Sequence, residues 1–345
     1  MADPSTNADP TGTGWAINDL VVRLRLLGSE RAFDLSSARQ WVVGASPECT
    51  IQLDDPSGRV SRRHAVLHRE GDTWLVRDLG STNGIRHDGE ATRAFSLSPG
   101  AEIELGGIAM IAESARSIEL HALLRRVLGW SLRCLADVDR ALGVVRDMAN
   151  LRTGLILRGE GSLVGAARRL HHLVLGPERP FVLRKGDEMG IHAAERAVSG
   201  VLCFDADALP PDLREVVASL RLPETRVRLI VCARTAESSA EVATIVPRVA
   251  TLWIPPLAER GDEMEQLLEA YGRDAVTVLD AAELGFRQHD LKWVRASGIR
   301  TLEEIEEVTY RLVALRNWGV TAGAERLGIT HGALSRWARR RKIPT

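Results

Sequence analysis

Paired cysteines are missing from this sequence: its four, Cys49, Cys134, Cys203 and Cys232, lie far apart with no CxxC spacing and no histidine at zinc-ligand distance. That argues against a structural metal site and a disulfide framework and makes reduced thiols the expectation. Net charge is also lacking, at -1, so any attraction to nucleic acid must come from a local cluster rather than the whole chain. No stretch approaches the ~20 apolar residues needed to span a bilayer. The opening "MADPSTNADPTGTGWAIND" has neither a basic start nor an apolar run, so residues 1–18 are expected to be a disordered tail rather than a signal peptide. These absences point to a cytoplasmic protein that makes no membrane contact.

What is present suits a soluble protein of more than one domain, since 345 residues at 45% hydrophobic and 26% charged exceed a single ordinary core. From Leu20 to Ala112 short alternating runs, "LVVRLRLL", "QWVVGA", "HAVLHREGDTWLVRDL" and "AEIELGGIAMIA", are punctuated by Gly, Asp and Ser. Period-two alternation of this kind predicts an all-β sandwich, with "REGDTW" as a hairpin turned at Gly71 and Asp72.

Two loops, "SGRVSRRHAV" and "DLGSTNGIRHDGE", together with "VVGASPECTIQLDDPSG" before them, resemble the forkhead-associated (FHA) domain over residues 19–115. The resemblance implies a phosphothreonine-peptide site at one end of the sandwich. By position, Ser61 would bond the phosphate, Arg62 and Arg59 would add charge, His64 would brace the loop, and Thr82 and Asn83 would meet the peptide. A phosphate carries about -1.5 to -2 charges and strong acceptors, which a hydroxyl beside guanidinium groups suits. The arginine that the family places after the glycine of the first loop is Ala45 here. The same residues would also serve merely to hold the loops in place.

Beyond Ile118 the period changes to helical, and strand-like runs then alternate with amphipathic segments, which argues for a parallel α/β layer over 118–256 and a helical region over 257–313. "LILRGEGSLVGAARRLHHL", "GVLCFDADALPPDL", "VRLIVCART" and "LWIPPLAER" resemble, in order, the segments of the AAA+ domain in bacterial activators of sigma-54 polymerase. The resemblance covers the framework and leaves out the chemistry. A phosphate loop needs a lysine and a hydroxyl, and "LVGAA" supplies neither. Asp205 keeps the acidic strand end, the next residue is Ala206 rather than a carboxylate, and Asp207 by alternation should face the other way. Arg234 stands where the family has an asparagine, Arg248 and Arg300 lie near its arginine finger and second sensor, and the sigma-contacting loop is absent. The expectation is a degenerate nucleotide site at Gly159, Gly161 and Asp205 in a protein that is not an enzyme and uses no cofactor. Backbone amides at Gly159 and Gly161 holding an anion remain the alternative.

In the last segment, 314–345, a helix leading to Gly319 is followed by "VTAGAERLG", a tight turn and "HGALSRWARRRKI" with Thr330 as its N-cap. This pattern predicts a helix-turn-helix. With Leu334 and Trp337 inward, His331, Ser335, Arg336, Arg339 and Arg340 lie outward, followed by Arg341 and Lys342, where arginines can read guanine or pair with phosphates. The segment resembles the Fis-type domain that ends enhancer-binding activators. Such domains imply double-stranded DNA as partner and a homo-oligomer, a dimer or larger.

The order of parts leads to one expectation: a DNA-binding transcription regulator that senses a phosphothreonine protein, such as a Ser/Thr kinase or its substrate, through a catalytically dead scaffold. A divergent ATP-dependent activator and a phosphopeptide-dependent scaffold without DNA binding are the alternatives.

Overall fold

A computed structural model describes residues 20–151, 153–220, 222, 225–281, 288–340 and 343. The expected tail, 1–18, and the basic residues Arg341 and Lys342 lie outside the described residues. The chain divides into two compact units, one of 1–157 with 166–252 and one of 158–165 with 253–345.

In the first unit, eleven strands form a sandwich of two antiparallel-dominated sheets: β1 (Arg23–Leu26), β2 (Ala32–Asp34), β3 (Gln40–Gly44), β4 (Ile51–Gln52), β5 (Ala65–Glu70), β6 (Thr73–Asp78), β7 (Ile85–His87), β8 (Glu90–Thr92), β9 (Ala94–Leu97), β10 (Glu102–Leu105) and β11 (Ile108–Glu113). One sheet runs β2-β1-β11-β10-β7-β8 and the other β4-β3-β5-β6-β9. Alternation along β5 and β6 buries Ala65, Leu67, Trp74 and Val76 between the sheets. Their hairpin pairs Glu70 with Thr73 around Gly71, whose φ of 59° only glycine adopts at no steric cost.

Helix α1 (Ala115–Leu128) leaves β11 through a capping box of Ser114 and Ser117 and is followed by α2 (Leu135–Ala149). Buried ion pairs fasten this pair to the sandwich. Arg25, fully buried, donates through Nε to Glu113 (2.9 Å) and through Nη2 to Asp139 of α2 (2.6 Å), while the Gly28 N–H donates to the other Asp139 oxygen at 2.6 Å. Burial alone would lower the pKa of Arg25, but its bonds to Asp139 and Glu113 prevail and raise it. At the other end of α2, Arg146 bonds the Gly100 carbonyl and pairs with Asp88.

The rest of this unit is an α/β layer. Strands β12 (Gly154–Arg158), β13 (Phe181–Leu183), β14 (Val201–Asp205), β15 (Arg228–Ala233) and β16 (Val249–Trp253) stand in the order β13-β14-β15-β12-β16, with β13, β14 and β15 paired in parallel. β15 is buried along its whole length and is apolar from Leu229 to Ala233, as burial on both faces requires. Helices α3 (Val164–Leu175), α4 (Gly190–Arg196), α5 (Leu213–Ser219) and α6 (Ala236–Ile245) complete the layer.

The second unit contains α7 (Met264–Val278), α8 (Gln288–Ala296), α9 (Leu302–Arg326) and α10 (His331–Arg340). A capping box of Thr301 and Glu304 starts α9, which continues across residue 314 and breaks instead at Gly319 (φ 68°, ψ -168°). The segment after this break packs back so closely that a Cβ on Gly323 would lie 2.9 Å from the Ala314 carbonyl oxygen. Among the described residues no helix is long and apolar enough to cross a membrane, and no three His, Cys, Asp or Glu side chains gather to hold a metal.

Candidate functional site

At one end of the sandwich the β3–β4, β4–β5 and β6–β7 loops are tied into one surface. His64 is buried and joins two of them: its Nδ1 accepts from the Ser61 N–H (3.0 Å) and its Nε2 lies 2.9 Å from the Gly84 carbonyl. Accepting at Nδ1 and donating from Nε2 requires the neutral tautomer with its proton on Nε2. The Ser61 hydroxyl accepts from the Thr82 N–H at 3.1 Å, and among the described residues its own proton is donated to no group. Asn83 donates through Nδ2 to the Arg59 carbonyl (2.7 Å). Arg59, Arg62, Thr82 and Asn83 are exposed on the same two loops as the hydroxyl.

Two glycines allow the loops to meet. A Cβ on Gly44 would lie 2.3 Å from the Arg62 carbonyl oxygen, and one on Gly106 would lie 2.5 Å from that of Arg59. Ala45, in the place of the expected arginine, donates its N–H to the Ser61 carbonyl (3.1 Å) and packs its methyl against the sandwich core. Sequence reasoning missed two loop organisers. Asp55 accepts from the Ser57 and Val60 N–H groups at 3.0 and 2.5 Å, and its pKa is lowered first by the Ser57 hydroxyl and then by the Val60 N–H. Asp78 accepts from the Gly80 and Ser81 N–H groups at 3.1 and 3.3 Å. Aspartate two residues before a turn N–H is the signal that "DDPSG" and "DLGS" carried.

The remaining candidates stand elsewhere. In the second unit the loop holding Gly159 and Gly161 is packed by its neighbours: a Cβ on Gly159 would meet Ile254 at 3.0 Å and Leu163 at 3.5 Å, and one on Gly161 would meet Thr301 at 2.7 Å. Leu163, just before α3, is buried. In the first unit Asp207 does not turn away from Asp205, as strand alternation had suggested. β14 ends at Asp205 and residues 206–208 form a 3-10 turn, so Arg234 Nη1 bonds Asp207 while its Nη2 bonds Asp205 at 3.2 Å. Arg300 uses its backbone N–H to bond Glu304 (2.7 Å) at the start of α9, and Arg248 lies before β16.

In α10, Leu334 and Trp337 are buried and Thr330 Oγ1 accepts from the Ala333 N–H (3.2 Å). Trp337 stands edge-on to Trp293 of α8 with ring centres 6.4 Å apart. That packing leaves His331, Arg336, Arg339 and Arg340 exposed and Ser335 half-buried, with no acidic residue anywhere along the helix.

The FHA domain family matches residues 41–106. Among curated proteins, the oxoglutarate dehydrogenase inhibitor of Corynebacterium jeikeium (strain K411) is 41% identical over 69 residues, 20% of this chain and 46% of that protein. The glycogen accumulation regulator GarA of Mycolicibacterium smegmatis is 36% identical over 69 residues, 20% of this chain and 42% of that protein. The chain thus spans less than half the length of these relatives. Among solved structures, the FhaA FHA domain complexed with the intracellular domain of Rv3910 is 31% identical, covering 26% of this chain and 96% of that one, with a TM-score of 0.24. The N-terminal sandwich, with its bonded loops at Ser61, His64 and Asn83, therefore contains an FHA domain.

Proposed function

We propose that the protein is a DNA-binding regulator whose FHA domain takes up a threonine-phosphorylated protein and whose α/β layer is a non-catalytic scaffold. The observation that carries this reading is the loop end of the sandwich, where the Ser61 hydroxyl, on a frame braced by His64, shares its loops with exposed Arg59, Arg62 and Asn83. A phosphate placed there would take the Ser61 proton and the charge of the exposed arginines, the charge-assisted bonding by which phosphopeptide modules gain affinity.

DNA binding rests on the C-terminal helices. The segment after Gly319, the turn at 327–330 and α10 are read as a helix-turn-helix, a reading supported by the helix break at Gly319 and by the basic exposed face of α10. An arginine face of this kind would pair with phosphates or base edges, and a dimer would present two copies to an operator. The AAA+ resemblance is read as scaffold because Ile254, Leu163 and Thr301 crowd the glycine loop and because Arg234 already pairs with the two carboxylates that would otherwise attract magnesium. Neither nucleotide hydrolysis nor a cofactor belongs to this reading.

The phosphopeptide half is tested by titrating the full chain and its Ser61→Ala variant against an immobilised phosphothreonine peptide library. Sequence-selective binding to phosphorylated but not unphosphorylated peptides, lost in the variant, is expected. Equal binding with and without phosphate would sink the reading.

A further inference from the structure

Two of the four cysteines, 29 positions apart in the sequence, meet in the α/β layer. Cys203 of β14 is fully buried, Cys232 of β15 is 5% exposed, and their Sγ atoms lie 3.8 Å apart. Phe204, Val231 and Ala233, their neighbours along the strands, belong to the apolar core on one face of the sheet, so alternation turns both thiols to the other face. The other two cysteines stand elsewhere: Cys49 Sγ bonds the Arg62 carbonyl at 3.0 Å, and Cys134 precedes α2.

Geometry separates three uses of such a pair. A nucleophile requires a readily formed thiolate, and here the bond to Cys232, and after it burial, push the Cys203 thiol well above its usual range. A disulfide requires Cα atoms within about 6.8 Å. Cys203 stands opposite Ile230 and Cys232 opposite Asp205, so the two are diagonal neighbours, two residues out of register. With about 4.8 Å between strands and about 3.3 Å per residue, their Cα atoms are roughly 8 Å apart, too far to bridge without moving a strand. A cation held between two sulfurs requires them at roughly twice a metal–sulfur bond of about 2.3 Å. Opening the pair by less than about 1 Å reaches that spacing.

Sulfur ligands are soft, and their number selects the ion. Zinc takes four ligands, and among the described residues no group of three or more His, Cys, Asp and Glu side chains gathers. Two thiolates alone suit monovalent copper, which soft sulfur ligands favour. The pair around one Cu(I) carries a single negative charge, and Arg168 of α3 acts on Cys203 as a nearby positive one. The guanidinium carbon of Arg168 lies 4.5 Å from the centre of the Phe181 ring, and Phe181 pairs with Val201 on the face that carries Cys203. An entrance is close as well. Cys232 is level with Asp205, the last residue of β14, at the carboxyl edge where open α/β sheets take their ligands.

We propose that Cys203 and Cys232 form a two-coordinate site for Cu(I) just below the carboxyl edge of the sheet. Binding replaces two S–H bonds by two S–Cu bonds and releases both protons to solvent, with no change of oxidation state. The site is independent of the phosphopeptide and DNA readings and would make the α/β layer responsive to monovalent copper.

Anaerobic titration with Cu(I) of the full chain carrying Cys49→Ser and Cys134→Ser, in competition with a chromophoric Cu(I) chelator, tests the proposal. The protein is expected to withdraw one Cu(I) per chain from the chelator. Adding Cys203→Ser or Cys232→Ser should weaken binding by more than the about 100-fold that loss of a supporting residue costs. X-ray absorption of the copper-loaded protein, which needs neither core substitution, should show two sulfur neighbours and no nitrogen or oxygen. No copper taken from the chelator, unchanged affinity without either thiol, or a shell that includes nitrogen, oxygen or a third sulfur would overturn it.

Discussion

Between pH 8 and pH 5 this protein should lose stability through His121 of α1. The ring is 5% exposed and its Nε2 has no hydrogen-bond partner among the described residues. Burial lowers its pKa to about 4 from 6.5; the positive charge of Arg25 adds to this, Asp139 partly opposes it, and Arg125 and Arg23 add smaller amounts. In the folded protein the ring therefore stays neutral, whereas the unfolded chain takes up a proton near 6.5. His121 leaves stability intact above pH 6.5 and lowers it as pH falls from 6.5 toward 4. Linkage over that interval gives a loss of ~2 kcal/mol at pH 5 and ~3 kcal/mol once both states are protonated. Urea unfolding of the full chain and of His121→Leu at pH 8 and pH 5 isolates this contribution, because the carboxylates and His171 cancel in the difference. The variant should gain about 2 kcal/mol relative to wild type on going to pH 5. A difference between the two proteins that does not change with pH would refute the reasoning.

Removing Asp139 by Asp139→Ala leaves Arg25 buried with only Glu113 as its carboxylate partner, and losing one member of such a pair costs about 3–5 kcal/mol. Urea titrations that show a change below about 1 kcal/mol would place the network's contribution with that of exposed pairs. Ala45→Arg adds a guanidinium beside Ser61, so affinity for a phosphothreonine peptide should rise by on the order of tenfold to a hundredfold. Fluorescence anisotropy with a labelled peptide measures it, and unchanged affinity would mean that Arg59 and Arg62 already supply the charge.

Local chemistry explains which parts were legible in the sequence. The hairpin at Gly71, the cap at Thr330, the helix break at Gly319 and the inward placement of Leu334 and Trp337 each depend on a few neighbouring residues, so each was written in a short motif. The FHA loops were legible for the same reason: glycines and serines at fixed spacing set how closely three loops approach. The bond from Arg25 to Asp139 spans 114 positions and joins a strand to a helix that nothing in either segment pairs. Asp207 was misplaced because alternation was extended one turn beyond the end of β14, where a 3-10 turn changes the direction of the side chains.

Genome-wide DNA occupancy of the tagged full chain, beside Arg336→Ala/Arg339→Ala and Ser61→Ala, tests the central claim most directly. The account predicts discrete peaks that share an inverted repeat, vanish when the two exposed arginines of α10 are removed, and change in height when the Ser61 hydroxyl is lost. Uniform background in all three proteins would contradict it.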